Sequence, residues 1–104
     1  MIQTVLSKHG VPIRLTDERW AHITEEHAEL AGLRHEVLAA IDEPERIALG
    51  HGGERLAVRR LESGKYLVAV YRELELDGFV ITAFLTRRMR ALERRTQLWT
   101  SQPS

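Results

Sequence analysis

No cysteine occurs anywhere in the chain, which removes disulfides, thiolate metal sites and cysteine nucleophiles. A reducing interior suits such a chain, so a cytoplasmic protein is expected. Aromatic residues are scarce, at 6%, and no apolar run approaches the roughly 18 residues needed to cross a bilayer. A membrane partner is therefore not expected. The opening, MIQTVLSKHG, lacks the basic region and long apolar core of a secretory signal. Repeats, low-complexity stretches and linkers are missing as well, and only SQPS at the end reads as a tail. The remaining composition, 43% hydrophobic and 29% charged over 104 residues, points to one domain over 1–104 with its core at about 11–99.

A net charge of zero conceals a division. Residues 1–52 carry five Lys/Arg against nine Asp/Glu, and residues 53–104 carry ten against six. An anionic ligand should therefore meet the second half.

The pattern of apolar residues sets the order of elements. Val11, Ile13 and Leu15 alternate in VPIRLT, a short strand that can pair with IQTVL across the KHG turn. Thr16 is a good N-cap, with Asp17 and Glu18 in the first turn, and the helix should run to about Leu30 and stop near Gly32. A second helix, RHEVLAAID, should end before Pro44, and PERIALGHGG reads as a turn-rich connection. From Glu54 the period changes to two: ERLAVRRL, KYLVAVYREL and FVITAFLT are three strands, parted by ESG and by DG. The expected fold is α+β, with N-terminal helices packed on one face of an antiparallel β-meander.

Two turns would fix the register. If Asp77-Gly78 is a two-residue turn, Leu76 faces Phe79 and Val70 faces Leu85; if ESG is a three-residue loop, Leu61 faces Lys65 and Val58 faces Val68. One face then collects Leu56, Val58, Val68, Val70, Leu74, Ile81, Ala83 and Leu85, the expected core face against the helices. The other collects Arg55, Arg59, Lys65, Tyr71, Glu73, Thr82 and Thr86 around small alanines, which describes a shallow polar trough.

Histidine can act as acid or base at neutral pH. His27 falls on the Trp20–Ile23–Leu30 stripe of the first helix, whereas His22 lies about 140° away, beside Glu26. That divergence, with no third ligand in view, argues against a shared metal ion, and no metal or cofactor is expected. The trough supplies guanidinium groups for a phosphate and hydroxyls to position oxygens. RNA carries its own nucleophile in the 2′-OH. After the last strand, Arg87, Arg88, Arg90, Arg94 and Arg95 form a basic run suited to backbone contacts.

The segments LTDERWAHITEEHAEL, EPERI, GKYLVAVYRELELDGFVITAFLTRRM and QLW resemble a family of small prokaryotic and phage-associated proteins. That family sits in the barnase–EndoU–colicin–RelE-like nuclease superfamily, and the resemblance covers about residues 13–99. Ala28 stands where one version of its helix motif carries proline. The resemblance implies acid/base roles for His22 and His27, a polar site position for Tyr71, paired hydroxyls at Thr82 and Thr86, and a basic residue at Arg87. Arg59 joins them by its trough position rather than by a motif.

The leading expectation is a metal-independent endoribonuclease, the toxin of a toxin–antitoxin or phage-conflict system. Its catalytic set would be His22, His27, Arg59, Tyr71, Thr82 and Thr86, with Arg55, Lys65, Glu73, Arg87, Arg88 and Arg90 holding the RNA. A non-catalytic RNA- or protein-binding module on the same fold is the second reading, and a metal-dependent hydrolase using His22, Glu26 and His51 the third. An antitoxin or immunity protein, or a second copy of the chain, could add to an exposed edge strand.

Overall fold

A computed structural model describes residues 1–101; of the expected SQPS tail, residues 102–104 lie outside the described residues. The structure is an α+β fold with a seven-stranded mixed sheet and three α-helices among the described residues. In chain order the elements are β1 (Ile2–Leu6), β2 (Pro12–Thr16), α1 (Asp17–Glu26), α2 (Arg34–Asp42), β3 (Arg46–Leu49), β4 (Arg55–Arg60), β5 (Tyr66–Glu73), β6 (Gly78–Thr86), α3 (Arg90–Glu93) and β7 (Gln97–Thr100). The strand order is β1-β2-β6-β5-β4-β3-β7. All pairs are antiparallel except β2 with β6, where Ile13 meets Gly78 and Arg14 meets Phe79 in parallel. The sheet curls: Lys8, in the turn after β1, places its Nζ 5.3 Å from the ring centroid of Trp99 on β7, the strand at the far edge.

The Thr16 hydroxyl accepts from the Arg19 amide and starts α1, as its sequence position predicts. Asp17 is held below the usual carboxyl range by the terminal ammonium of Met1 and by Arg34. The helix ends four residues earlier than expected, at Glu26. His27 leaves the helical conformation (φ −129°, ψ 75°), and a 3-10 turn over Ala28–Leu30 swings Leu30 into the core. PERIALGHGG is more than a connection, because it contains β3, which pairs with β4 and with β7.

The expected β4–β5 register holds, with Val58 opposite Val68 and the Leu61 amide bonded to the Lys65 carbonyl. The expected β5–β6 register does not. Val70 faces Thr82 rather than Leu85, and a bulge at Ile81 then brings Tyr71 opposite Val80. Asp-Gly is not a two-residue turn here. The chain turns over residues 74–77, closed by the Leu74 amide on the Asp77 carbonyl, while Asp77 accepts from Arg14 of β2 at 2.7 Å. Gly78 begins β6 where a Cβ would come within 2.3 Å of the Arg72 carbonyl oxygen and 2.6 Å of Ile13. Close packing, not turn geometry, requires the glycine.

On β4 and β5 the two sheet faces are also exchanged with respect to the helices, whereas Ala83 and Leu85 of β6 face the helices as expected. Ala57, Leu67, Ala69, Tyr71, Val80 and Ala83 share one core cluster with Ile23, Val37, Leu38, Ala40 and Ile41 of α1 and α2. Leu56, Val58, Val68, Val70 and Ile81, five of the eight residues expected to face the helices, pack instead with Leu92 of α3 and with Phe84 and Met89. The alanines do form a trough, and the helices fill it. Small side chains let a helix approach the sheet closely, whereas the branched face largely fills its own space.

Candidate functional site

The face carrying Leu56 and Val70 holds the best-formed site. Between the sheet and α3 lies an open cleft of about 450 Å³. Its floor is apolar, made by Leu56, Val70, Phe84 and Leu92, and its polar groups are His51, Glu54, Thr86, Arg88 and Arg95. β3 and β4 present the first two groups from a tight glycine-rich turn in which Gly53 has φ +86°. Glu54 accepts from the Gly52 amide at 2.9 Å, and Arg72 donates to the Gly52 carbonyl at 2.8 Å. Both backbone groups of the residue following His51 are thus tied down. The Thr86 hydroxyl accepts from the Arg88 amide at 3.0 Å, fixing the chain where β6 gives way to α3.

A cluster of unpaired arginines lies at the same place. Arg14, Arg34, Arg55 and Arg59 each have a carboxylate partner. Arg87, Arg88, Arg90 and Arg94 have none among the described residues, and all four are exposed. These four positions flank or line the cleft, so its rim carries uncompensated positive charge.

A second polar cluster lies under the opposite face. His9 Nδ1 is 3.0 Å from Glu73 Oε2, and Arg55 Nε is 3.8 Å from the same oxygen. Tyr71, directly across from Arg55, is fully buried, and its hydroxyl has no protein partner. Burial, reinforced by the Glu73 charge and opposed by Arg55, pushes the phenol up to about 12. No sequence feature marked His9.

The residues expected from the sequence are divided among several places. Arg55, Tyr71 and Glu73 come together, but on the helix-covered side. Arg59 donates to the Glu43 carbonyl at 3.0 Å and so caps the end of α2, where helix-dipole and hydrogen-bond terms favour a cation. Lys65 sits in the turn between β4 and β5. Thr86 and Arg88 line the cleft; Thr82 lies on that face opposite Val70 without lining it. Arg87 and Arg90 stand just outside. His22 pairs with Glu26 at 3.0 Å on the exposed side of α1, and His27 lies 3.6 Å from Glu29. Neither histidine reaches the cleft. The expected single trough uniting imidazoles, phenol, guanidiniums and hydroxyls is therefore not what the chain builds, because the bulge at Ile81 and the helices on the alanine face separate them. The sequence reading marks His51 only as a metal ligand and leaves Glu54 unmarked; the signal available is a histidine and a carboxylate inside one glycine-rich turn, GHGGE.

Among the described residues no group of three or more His, Asp or Glu could hold a metal ion. No helix is long and apolar enough to cross a membrane. The chain matches no family model, no curated protein and no solved structure.

Proposed function

We propose that the chain is a metal-independent endoribonuclease whose site is the cleft beside α3. One observation carries the reading: guanidinium groups without carboxylate partners surround a cleft that also holds an imidazole, a carboxylate and a hydroxyl. Cleavage through the 2′-OH needs a proton acceptor, a proton donor and cations for the crowded phosphate, and no metal. Glu54 takes the 2′-OH proton as the 2′ oxygen bonds to phosphorus. The bond from phosphorus to the 5′ oxygen breaks, and His51 gives that oxygen its proton. Arg88 and Arg95 hold the phosphate oxygens, and the product is a 2′,3′-cyclic phosphate.

The order of a β-hairpin, two helices and then a run of mainly antiparallel strands, with the cleft on the sheet face away from α1 and α2, supports the barnase–EndoU–colicin–RelE-like resemblance. A toxin role in a conflict system follows from that resemblance. β1 forms one sheet edge with Ile2 and Leu6 exposed, and offers an antitoxin, an immunity protein or a second copy a strand to extend.

The test is incubation of the purified protein with labelled RNA in EDTA. Wild type, His22→Ala and His27→Ala should release cyclic-phosphate ends, while His51→Ala and Glu54→Gln lose at least about 100-fold in rate. RNA affinity without cleavage by any variant would assign the fold to the non-catalytic binding module instead.

A further inference from the structure

The cleft does not stand alone. A groove of about 670 Å³ adjoins it on the side of β3, lined by His51, Arg94, Arg95 and Thr96. A third of about 500 Å³ adjoins it on the side of β6, lined by Arg87, Met89, Arg90 and Arg94. Ala91 borders all three; His51 and Arg95 are common to the first two, and Arg88 to the cleft and the third. Each volume lies in the range of about 300–1,000 Å³ that holds one ligand of drug size, which is also the size of a nucleotide. The floors differ: four apolar side chains lie under the cleft, whereas arginines make up four of the six residues lining the β6-side groove and two of the seven lining the β3-side groove.

From this continuity, and resting on the ribonuclease reading above, we infer that the protein takes single-stranded RNA across three consecutive subsites. A base sits over the apolar floor beside Phe84, and the phosphates on either side meet Arg94, which lines both flanking grooves, with Arg87 and Arg90 added on the β6 side. Stacking on an aromatic ring tolerates any base, and it needs a base freed from pairing. An A-form duplex keeps its bases stacked inside, so it could offer this surface only phosphates.

The experiment measures binding of 2′-O-methyl oligoribonucleotides, which cannot be cleaved through the 2′ position, by fluorescence anisotropy in EDTA. Lengths of two to six nucleotides are compared with a 16-base-pair duplex. Affinity should rise about 10-fold or more from two nucleotides to four, then level off, with the duplex weaker than the tetramer at matched salt. The Arg90→Ala/Arg94→Ala pair should reduce the gain with length to about threefold and flatten the salt dependence by about 1.4 in log–log slope, at ~0.7 per lost phosphate contact. Arg60→Ala, an exposed arginine on β4 away from the grooves, should leave both unchanged. Affinity that does not depend on length, equal losses in Arg60→Ala, or preference for the duplex would overturn the three-subsite arrangement. Cleavage is scored separately on unmodified RNA: length-dependent binding without cleavage keeps the subsites and rejects the catalysis, whereas a dinucleotide cut as fast as a hexamer does the reverse.

Discussion

His9 and Glu73, sixty-four residues apart in sequence, are joined at 3.0 Å from Nδ1 to Oε2. The contact pins the turn after β1 to the end of β5, and the carboxylate that makes it is only 6% exposed. Arg55 shares that carboxylate from the next strand. Removing the carboxylate charge therefore leaves a largely buried guanidinium without its counter-charge, the expensive way to break a pair. Glu73→Gln should lose about 1–2 kcal/mol in urea unfolding, after allowance for the partial exposure of Arg55. His9→Ala, half exposed, should lose about 1 kcal/mol or less. Equal losses would mean that the imidazole, not the guanidinium, is the partner that matters.

Tyr71 gives the fold an alkaline limit. Its phenol is raised to about 12 in the folded chain by burial first and the Glu73 charge second, against a value near 10 when unfolded. The folded state therefore holds the proton more tightly. Stability from this group is complete below about pH 10 and is lost as pH rises toward 12. Tyr71→Phe should abolish that decline in a Tm-against-pH series. Near neutral pH it should be neutral or stabilising by up to about 1 kcal/mol, since it deletes a buried hydroxyl with no protein partner. A variant that still loses stability between pH 10 and 12 as wild type does would place the titration elsewhere.

Gly78 is required by space rather than by backbone angle. It is absent from the glycines with positive φ, which are Gly10, Gly32, Gly53 and Gly64. Yet a Cβ there would collide with the Arg72 carbonyl and with Ile13. β2 joins the meander through a parallel ladder whose only pairs are Ile13–Gly78 and Arg14–Phe79. Gly78→Ala should accordingly destabilise by about 2–3 kcal/mol and loosen β1 and β2 as a unit, read as lost hydrogen-exchange protection across residues 2–16. Normal protection there would show that the strands yield without parting.

Much of this arrangement was legible in the sequence. Thr16 as N-cap, the second helix over RHEVLAAID, the β1–β2 hairpin and the β4–β5 register all follow from local rules whose causes lie within a few residues. What failed depended on distant partners. Asp77-Gly78 looks like a hairpin turn until Arg14 captures Asp77 and Ile13 needs the space at Gly78. Period-two alternation sorts side chains into two sets, but it carries no sign that says which set the helices cover. An extra residue at Ile81 then shifts Thr82, Phe84 and Thr86 away from Tyr71. The candidate site suffered most, since Arg55 and Arg59 look like phosphate ligands in sequence while Glu73 and Glu43 engage them in the fold.

The choice of face can be tested directly. Ala69 is completely buried, with Ala57 and Ala83 as its cross-strand neighbours and α2 in the same core cluster. Thr82 is on the opposite face, partly exposed. If the alanines floored an open trough, a larger side chain at 69 would extend into water at no loss. Beneath a helix it must displace packed atoms, so Ala69→Leu should destabilise by about 2–3 kcal/mol despite adding apolar surface. Thr82→Lys should lose about 1 kcal/mol or less, because its stem can lie along the sheet with the ammonium in solvent. Chemical denaturation of the two variants side by side decides the matter: a tolerated Leu at 69 with a damaging Lys at 82 would return the helices to the other face and move the cleft with them.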